Sequence, residues 1–412
     1  MSVDRNLTPA EESLSVLFEK SFAGEPLRAS AIEAFRHRGL PTKRVEDWKW
    51  TDLRGTLREA LEPAPANDDD APARTLFADL AGPEILIENG RARLAGSYVG
   101  SGFSVVANGG DVDAPGRDGA VALLNRAQAT DGVTIRIDRG AKLEQPIVVR
   151  RRASTDGAVH VRSKVRVGAG AEATIIEIDE VETGGAFINL YTDVEIEAGA
   201  TLRRYVAERL DEGAVLADIL AADIDARGVF EQAVLTAGAR LVRRETHIDL
   251  AGAGAACRLA SAVLAGQKQH ADLTSVVRHI APGCETRQQH RAVLADAARG
   301  VFQGKIKVER DAQKTDGRMA AHALLLSDTA EANAKPELEI YADDVECAHG
   351  ATVGALDADA LFYMRSRGLS EREAQALLID AFLAEAFEMI TDEDVRAGFE
   401  RLAASLREGG GA

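Results

Sequence analysis

Residues 133–200 read VTIRIDRGAKLEQPIVVRRRASTDGAVHVRSKVRVGAGAEATIIEIDEVETGGAFINLYTDVEIEAGA, and this stretch decides the fold class. Apolar residues recur at every second position in it, as at Val133, Ile135 and Ile137. Such alternation predicts β-strands that bury one face and expose the other. The same pattern returns at 159–167, 194–196 and 338–340.

A Gly-Ala turn punctuates these strands at 140–141, 170–171 and 199–200, in steps of 30 and 29 residues. Gly254 and Gly283 repeat the 29-residue step. A repeat of this length favours a β-solenoid, in which each coil buries its apolar face by stacking on the next. An antiparallel sandwich with similar turns is the alternative, because periodicity alone does not separate the two. We predict a mainly β protein with a solenoid core.

Helical patterns flank the β-region. Near the C-terminus, Ser370 and Glu373 form a capping box ahead of an apolar stripe at helical spacing. Between the N-terminal helices and the strands lies EPAPANDDDAPA, which is too polar to bury a core. We predict a helical domain at 1–61, an acidic Pro/Ala linker at 62–73, a β core at 74–368 and a helical domain at 369–412.

Composition excludes several classes of function. The 49 basic and 66 acidic residues give a net charge of −17, which disfavours binding to nucleic acids or anionic membranes. Three cysteines, widely spaced, cannot form a dense disulfide framework. No apolar run approaches the roughly 20 residues of a membrane span. We therefore expect a cytoplasmic protein without a membrane span.

Common catalytic motifs are missing. The chain has no P-loop, G-x-G-x-x-G, G-x-S-x-G, H-E-x-x-H or C-x-x-C. Cys347 and His349 form a C-x-H pair, and residues two apart on a strand face the same side. Thiolate and imidazole suit zinc, iron or copper(I), but two ligands need others from elsewhere. The alternative is simple packing of both side chains.

Other reactive residues are interpreted as structural. Because a Pro282-Gly283 turn separates His279 from Cys284, we predict that these two and His290 pack in the core. A stand-alone metal-dependent enzyme using Cys347, His349 and His279 remains a rival hypothesis, as does a purely structural solenoid. The run Arg150–Arg152 is predicted to end a strand in solvent. Trp48 and Trp50 are predicted to pin a helical segment onto the core.

Several ordered motifs carry a family resemblance. RGVFQGKI at 299–306, AQKTD at 312–316, KPELEIYADDV at 335–345 and CAHGAT at 347–352 resemble the SufB/SufD family of iron–sulfur cluster assembly proteins, as do GLPT at 39–42 and WKWTDL at 48–53. The scaffold type has His-Glu-Ala-Thr where this chain has His349-Gly350-Ala351-Thr352. Residues 327–341 also lack the cysteines of the scaffold type. The chain is therefore similar to the non-scaffold branch.

This resemblance implies a right-handed parallel β-helix flanked by helical domains, in a complex with a SufB-type scaffold subunit and a SufC-type ATPase. A homodimer is the alternative assembly for the isolated chain. The resemblance implies no turnover by this chain and a part in iron acquisition. It places His349, with Cys347 beside it, at the interface with SufB. Iron or a transient Fe–S cluster would form there, with none held tightly by the isolated chain. The helices of 370–390 would dock the ATPase, with Leu378, Phe382 and Phe387 as candidate contacts.

Overall fold

The computed structural model describes residues 6–21, 25–66, 76–77, 80–94, 97–110 and 119–410. Within these ranges the α-helices are α1 (Pro9–Ser21), α2 (Pro26–Arg38), α3 (Leu53–Thr56), α4 (Ala120–Gln128), α5 (Ala358–Ser366), α6 (Glu371–Ala384) and α7 (Glu393–Gly410). The strands are β1 (Glu84–Glu88), β2 (Arg91–Ala92), β3 (Ser97–Gly100), β4 (Phe103–Ala107), β5 (Val133–Ile137), β6 (Ile147–Ala153), β7 (Gly157–Val167), β8 (Glu172–Val181), β9 (Ala186–Ile196), β10 (Thr201–Leu210), β11 (Val215–Ile224), β12 (Val229–Ala237), β13 (Leu241–Leu250), β14 (Ala256–Ala265), β15 (His270–His279), β16 (Glu285–Leu294), β17 (Arg299–Val308), β18 (Thr315–Leu325), β19 (Glu331–Ile340) and β20 (Val345–Gly354).

From β5 onward, successive strands alternate between two facing sheets. The even sheet runs β2-β1-β6-β8-β10-β12-β14-β16-β18-β20, and the odd sheet runs β19-β17-β15-β13-β11-β9-β7-β5-β4-β3. From β5 onward, every pair of neighbouring strands is parallel. This is a parallel β-solenoid of about 8 coils, which confirms the predicted fold class and excludes the antiparallel sandwich.

The turn glycines explain the sequence repeat. Gly140, Gly170 and Gly199 have φ of 70°, 68° and 67°, a region that residues with a Cβ rarely adopt. Backbone hydrogen bonds stack this turn from coil to coil, and Arg227 and Lys314 take the same place with φ of 54° and 62°. The repeat therefore continues through positions where the glycine is missing, which hides it from a search for Gly-Ala.

Charged residues inside the solenoid overturn one prediction. The run Arg150–Arg152 lies within β6, not at a solvated strand end, and Arg150 and Arg151 are buried. Arg151 points between the sheets, where Asp179 and Glu177 lie 2.5 and 2.6 Å from its nitrogens. Burial of a guanidinium is tolerated only with such carboxylate partners, and the solenoid supplies them from the next coil.

The N-terminal helices pack on the outer face of the odd sheet. Trp48 is buried, with its ring under the guanidinium of Arg243 at 4.6 Å. Three residues on, the Thr51 hydroxyl donates a hydrogen bond to the buried carboxylate of Asp272. The prediction that this motif pins a helical segment onto the core is confirmed for Trp48, while Trp50 is only half-buried.

The C-terminal helices cover the outer face of the even sheet, and the capping box of Ser370 and Glu373 is present. Residues 67–73 of the predicted linker lie outside the described residues, so the domain limits stay predictions. Pro63, at the start of that segment, forms a β-bridge with Ala158. No helix in the described part of the chain is long and apolar enough to cross a membrane.

Candidate functional site

The C-x-H pair lies on β20, the last strand of the even sheet. Cys347 pairs with Gly317 and His349 pairs with Met319, both on β18. On the other side of β20, no strand of the described chain is hydrogen-bonded to it. The pair therefore sits on a free sheet edge at the end of the solenoid.

Both side chains face the space between the two sheets. Met319 is 3% exposed and packs with Phe302 and Ile306 of the odd sheet, and Cys347 packs against the same cluster. Register partners on adjacent parallel strands project to the same face, and so do residues two apart. His349 is exposed because it lies in the terminal coil. The open end thus presents an imidazole beside a half-buried thiol.

Burial raises the pKa of the Cys347 thiol; a hydrogen bond with the Gly317 backbone partly offsets the rise, and Asp316 adds to it. The thiol is therefore protonated at neutral pH, and a metal must displace its proton. Among the described residues, no three His, Cys, Asp or Glu side chains are grouped so as to hold a metal ion. A thiol and an imidazole are donor types that soft metals prefer, and two donors are fewer than a metal site needs.

The other candidate cysteine and histidines are core residues, as predicted. The His279 ring is fully buried between the hydroxyls of Thr286 and Thr315, at 2.8 and 3.2 Å. Burial lowers its pKa to about 4. Because both ring nitrogens have hydroxyl partners, His279 is not placed as a metal ligand.

His290 and Cys284 are satisfied in the same way. The His290 Nδ1 atom lies 2.8 Å from the Ser261 hydroxyl, and its ring stacks on Phe302 with 4.8 Å between centroids. The buried Cys284 thiol donates to the Ala281 carbonyl at 3.2 Å. These contacts stabilise the core and leave neither side chain facing the open end.

The predicted docking residues occupy different environments. Leu378 and Phe382 are half-buried, and Arg291 lies over the Phe382 ring at 5.0 Å. Phe387 is 1% exposed and its ring lies 5.6 Å from that of Phe399, so it belongs to the core beneath the C-terminal helices.

Sequence reasoning missed the most exposed apolar residues of this region. Phe362 and Tyr363 are 75% and 58% exposed on α5, a helix with no buried residue. Leu377 of α6 is also exposed. The adjacent aromatic residues Phe362 and Tyr363 were the sequence feature that could have indicated an exposed apolar surface.

Comparisons with known proteins identify the family of this chain. The family model described as SUF system FeS cluster assembly, SufBD core domain, matches residues 150–382. The chain is 31% identical over 386 residues to the iron–sulfur cluster assembly protein SufD of Escherichia coli, an alignment that covers 90% of each chain.

Partial matches extend to other bacteria. A SufBD family protein of Synechocystis is 31% identical over 65% of this chain and 62% of its own length. One from Mycobacterium leprae is 27% identical over 66% of this chain and 70% of its own length. With the family model covering more than half of the chain and a relative aligned over nearly all of it, this solenoid protein belongs to the SufBD family of iron–sulfur cluster assembly proteins.

Proposed function

We propose that this chain is the non-scaffold subunit of a SUF complex, and that its open solenoid end forms a cluster-building interface with a SufB-type scaffold subunit. One observation carries the proposal: Cys347 and His349 face the same open space on an unpaired edge strand. Two donors of this kind are too few for a site in one chain. They are well placed to complete a site that two chains share.

The two edge strands at the open end, β19 and β20, differ in a way that supports pairing through β20. The strand β19 carries Glu331, Lys335, Glu337 and Glu339 as well as Pro336, and charges and proline protect an edge against strand addition. Only Glu346 is charged in β20, which otherwise consists mostly of small and uncharged residues. A partner strand can therefore add to β20 with full backbone hydrogen bonding.

The chemistry at this interface follows from the donors. Iron or a nascent cluster is the cargo here, and it requires a thiolate and a neutral imidazole as ligands. Because the Cys347 pKa is raised, iron binding by its sulfur releases a proton and strengthens as pH rises. Cys347 and His349 would hold iron only together with scaffold side chains, which assigns this chain a part in iron acquisition.

We further propose that a SufC-type ATPase docks on the exposed apolar residues of α5 and α6 and supplies all ATP hydrolysis. Phe362, Tyr363 and Leu377 are exposed there, and Leu378 and Phe382 flank them as half-buried residues. Buried aromatic anchors dominate the energetics of such contacts. Phe387 lies under the helices and is not part of this surface.

Co-purification with both partners, followed by anaerobic reconstitution with iron and sulfide, tests the interface. His349→Ala should leave the solenoid folded, since an exposed residue of the terminal coil contributes little to its stability. It should also leave complex formation unchanged, because a single interface residue rarely carries most of the binding energy. Cluster yield should fall sharply. His349→Cys should restore part of the yield because a thiolate also binds iron. His37→Ala, an exposed histidine on α2, is the matched control. Normal cluster yield from the His349→Ala complex would refute the ligand role.

A further inference from the structure

A cavity lined by both apolar and polar side chains lies between the two sheets, within the coils built from β12 to β17. It offers about 40 Å³ to a water-sized sphere. Apolar cavities of proteins stay dry, whereas polar ones of sufficient size hold ordered water. The lining residues that bear on what the cavity can bind are Arg244, Thr246, Ser261, Ser275, Gln288 and Phe302.

One wall presents an amide that the protein does not satisfy. Gln288 is 5% exposed, and its Oε1 accepts a hydrogen bond from the Ser275 hydroxyl at 2.6 Å across the two sheets. Its Nε2 has no partner in the described part of the protein. Exchanging the amide oxygen and nitrogen does not help, because the Ser275 hydroxyl bonds only one of them. One polar atom of Gln288 is left for a ligand.

A second donor faces the same cavity from the odd sheet. The Arg244 guanidinium is 3% exposed and donates through its two terminal nitrogens to Asp218 and Glu208. Its Nε has no partner among the residues that the structure describes. A ligand of this cavity must therefore accept hydrogen bonds from a neutral amide and from a guanidinium. The hydroxyls of Thr246 and Ser261 in the wall can either donate or accept.

We propose that this cavity is a binding site for a short chain of ordered water molecules that bridges Gln288 and Arg244. A single water needs about 10–15 Å³ by this measure, so the cavity has room for about three. A small anion would also accept from both donors, but local charge argues against it. The buried network that contains Arg244 has more carboxylates than guanidiniums: Glu177, Asp179, Glu208 and Asp218 against Arg151, Arg204 and Arg244. Further negative charge there is disfavoured.

The water links two groups of buried polar side chains. One is the charge network around Arg244, and the other is the Ser261–His290 pair next to Phe302. The interior of the solenoid at these coils then contains hydrated polar side chains as well as apolar ones. Removal of the water would leave at least two buried donors without partners, so it should exchange slowly with solvent.

A high-resolution crystal structure of the full chain tests the proposal. We expect density at hydrogen-bonding distance from Gln288 Nε2 and Arg244 Nε. An empty cavity in a map that resolves other buried waters would overturn the proposal, and so would an anomalous peak there after a bromide soak. Gln288→Leu should lose the water beside residue 288 and retain the one at Arg244. Gln375→Leu, on α6 and outside the lining of the cavity, should leave the interior density unchanged.

Oxygen-17 magnetic relaxation dispersion gives an independent readout that needs no variant and no crystal. It counts water molecules that stay in the protein long enough to tumble with it. Wild-type protein should show long-lived waters, and Gln288→Leu should show fewer than Gln375→Leu. An equal count in all three proteins would contradict the assignment of the site to Gln288.

Discussion

Truncation of Phe387 and of Phe362 separates the core of the C-terminal region from its proposed docking surface. Phe387 is 1% exposed and packs on Phe399 beneath α6 and α7, so Phe387→Ala removes a whole buried ring and leaves a cavity. Such substitutions cost about 3–5 kcal/mol in stability. Phe362 is 75% exposed and has no comparable packing to lose. Phe362→Ala should change stability by less than about 0.5 kcal/mol.

Two assays on the full chain distinguish these effects. Equilibrium urea denaturation and hydrogen exchange of α6 and α7 measure stability, and calorimetry with a purified SufC-type ATPase measures binding. Phe387→Ala should speed exchange throughout both helices, because their shared core is opened. Phe362→Ala should retain wild-type exchange and weaken ATPase binding about tenfold or more, as expected for loss of an aromatic anchor. Slow exchange in Phe387→Ala would show that the packing argument is wrong, and unchanged binding by Phe362→Ala would refute the docking surface.

Three further predictions concern the solenoid and its N-terminal cover, each tested by urea denaturation. Burial raises the pKa of Glu177, but Arg151, Arg204 and Arg244 together outweigh this effect and hold the pKa at about 2. The stability that this carboxylate adds is therefore present above its unfolded pKa near 4.5 and is lost as pH falls towards 2. Glu177→Gln should abolish that part of the acid-induced loss, and an unchanged acid profile would argue against the ion pairs. Gly170→Ala should cost about 1 kcal/mol of stability and Arg227→Gly should add a similar amount, because both residues have positive φ in equivalent turns. If both variants are as stable as the wild-type protein, the stacked turn is disproved. Trp48→Ala should cost about 3–5 kcal/mol by removing a buried ring, whereas Trp50→Ala should cost much less, and the reverse order would contradict the packing.

The strands and turns of the core were predictable because they depend on local chemistry. Alternation of apolar residues marks a face, and glycine marks a turn with positive φ. The prediction failed at turns where a residue other than glycine adopts positive φ. Arg227 and Lys314 adopt the same turn without glycine, so the repeat could not be followed through them from composition. Periodicity also left the strand direction undecided, since parallel and antiparallel pairs bury a face with the same period, and only the family resemblance implied parallel strands.

The candidate site was predictable in part. The shared direction of Cys347 and His349 follows from strand geometry, and their position on a free edge follows only from the number of coils that stack before them. The apolar stripe of α6 and the turn after it predicts a buried face but not the surface that buries it. Phe387 therefore could not be distinguished from an exposed docking residue until the helices were seen against the even sheet.

By itself, the sequence determined the fold class, the helical flanks and the family, because each depends on short-range patterns or on motifs. Only the tertiary structure decided which polar residues lie inside the solenoid. Arg151 and Glu177 belong to different coils, and each is buried between the sheets with oppositely charged partners from a neighbouring coil. Stacking brings them together across 26 residues of chain, and the free energy of burying each charge depends on that contact. A local sequence pattern cannot indicate a charged partner that lies one coil away.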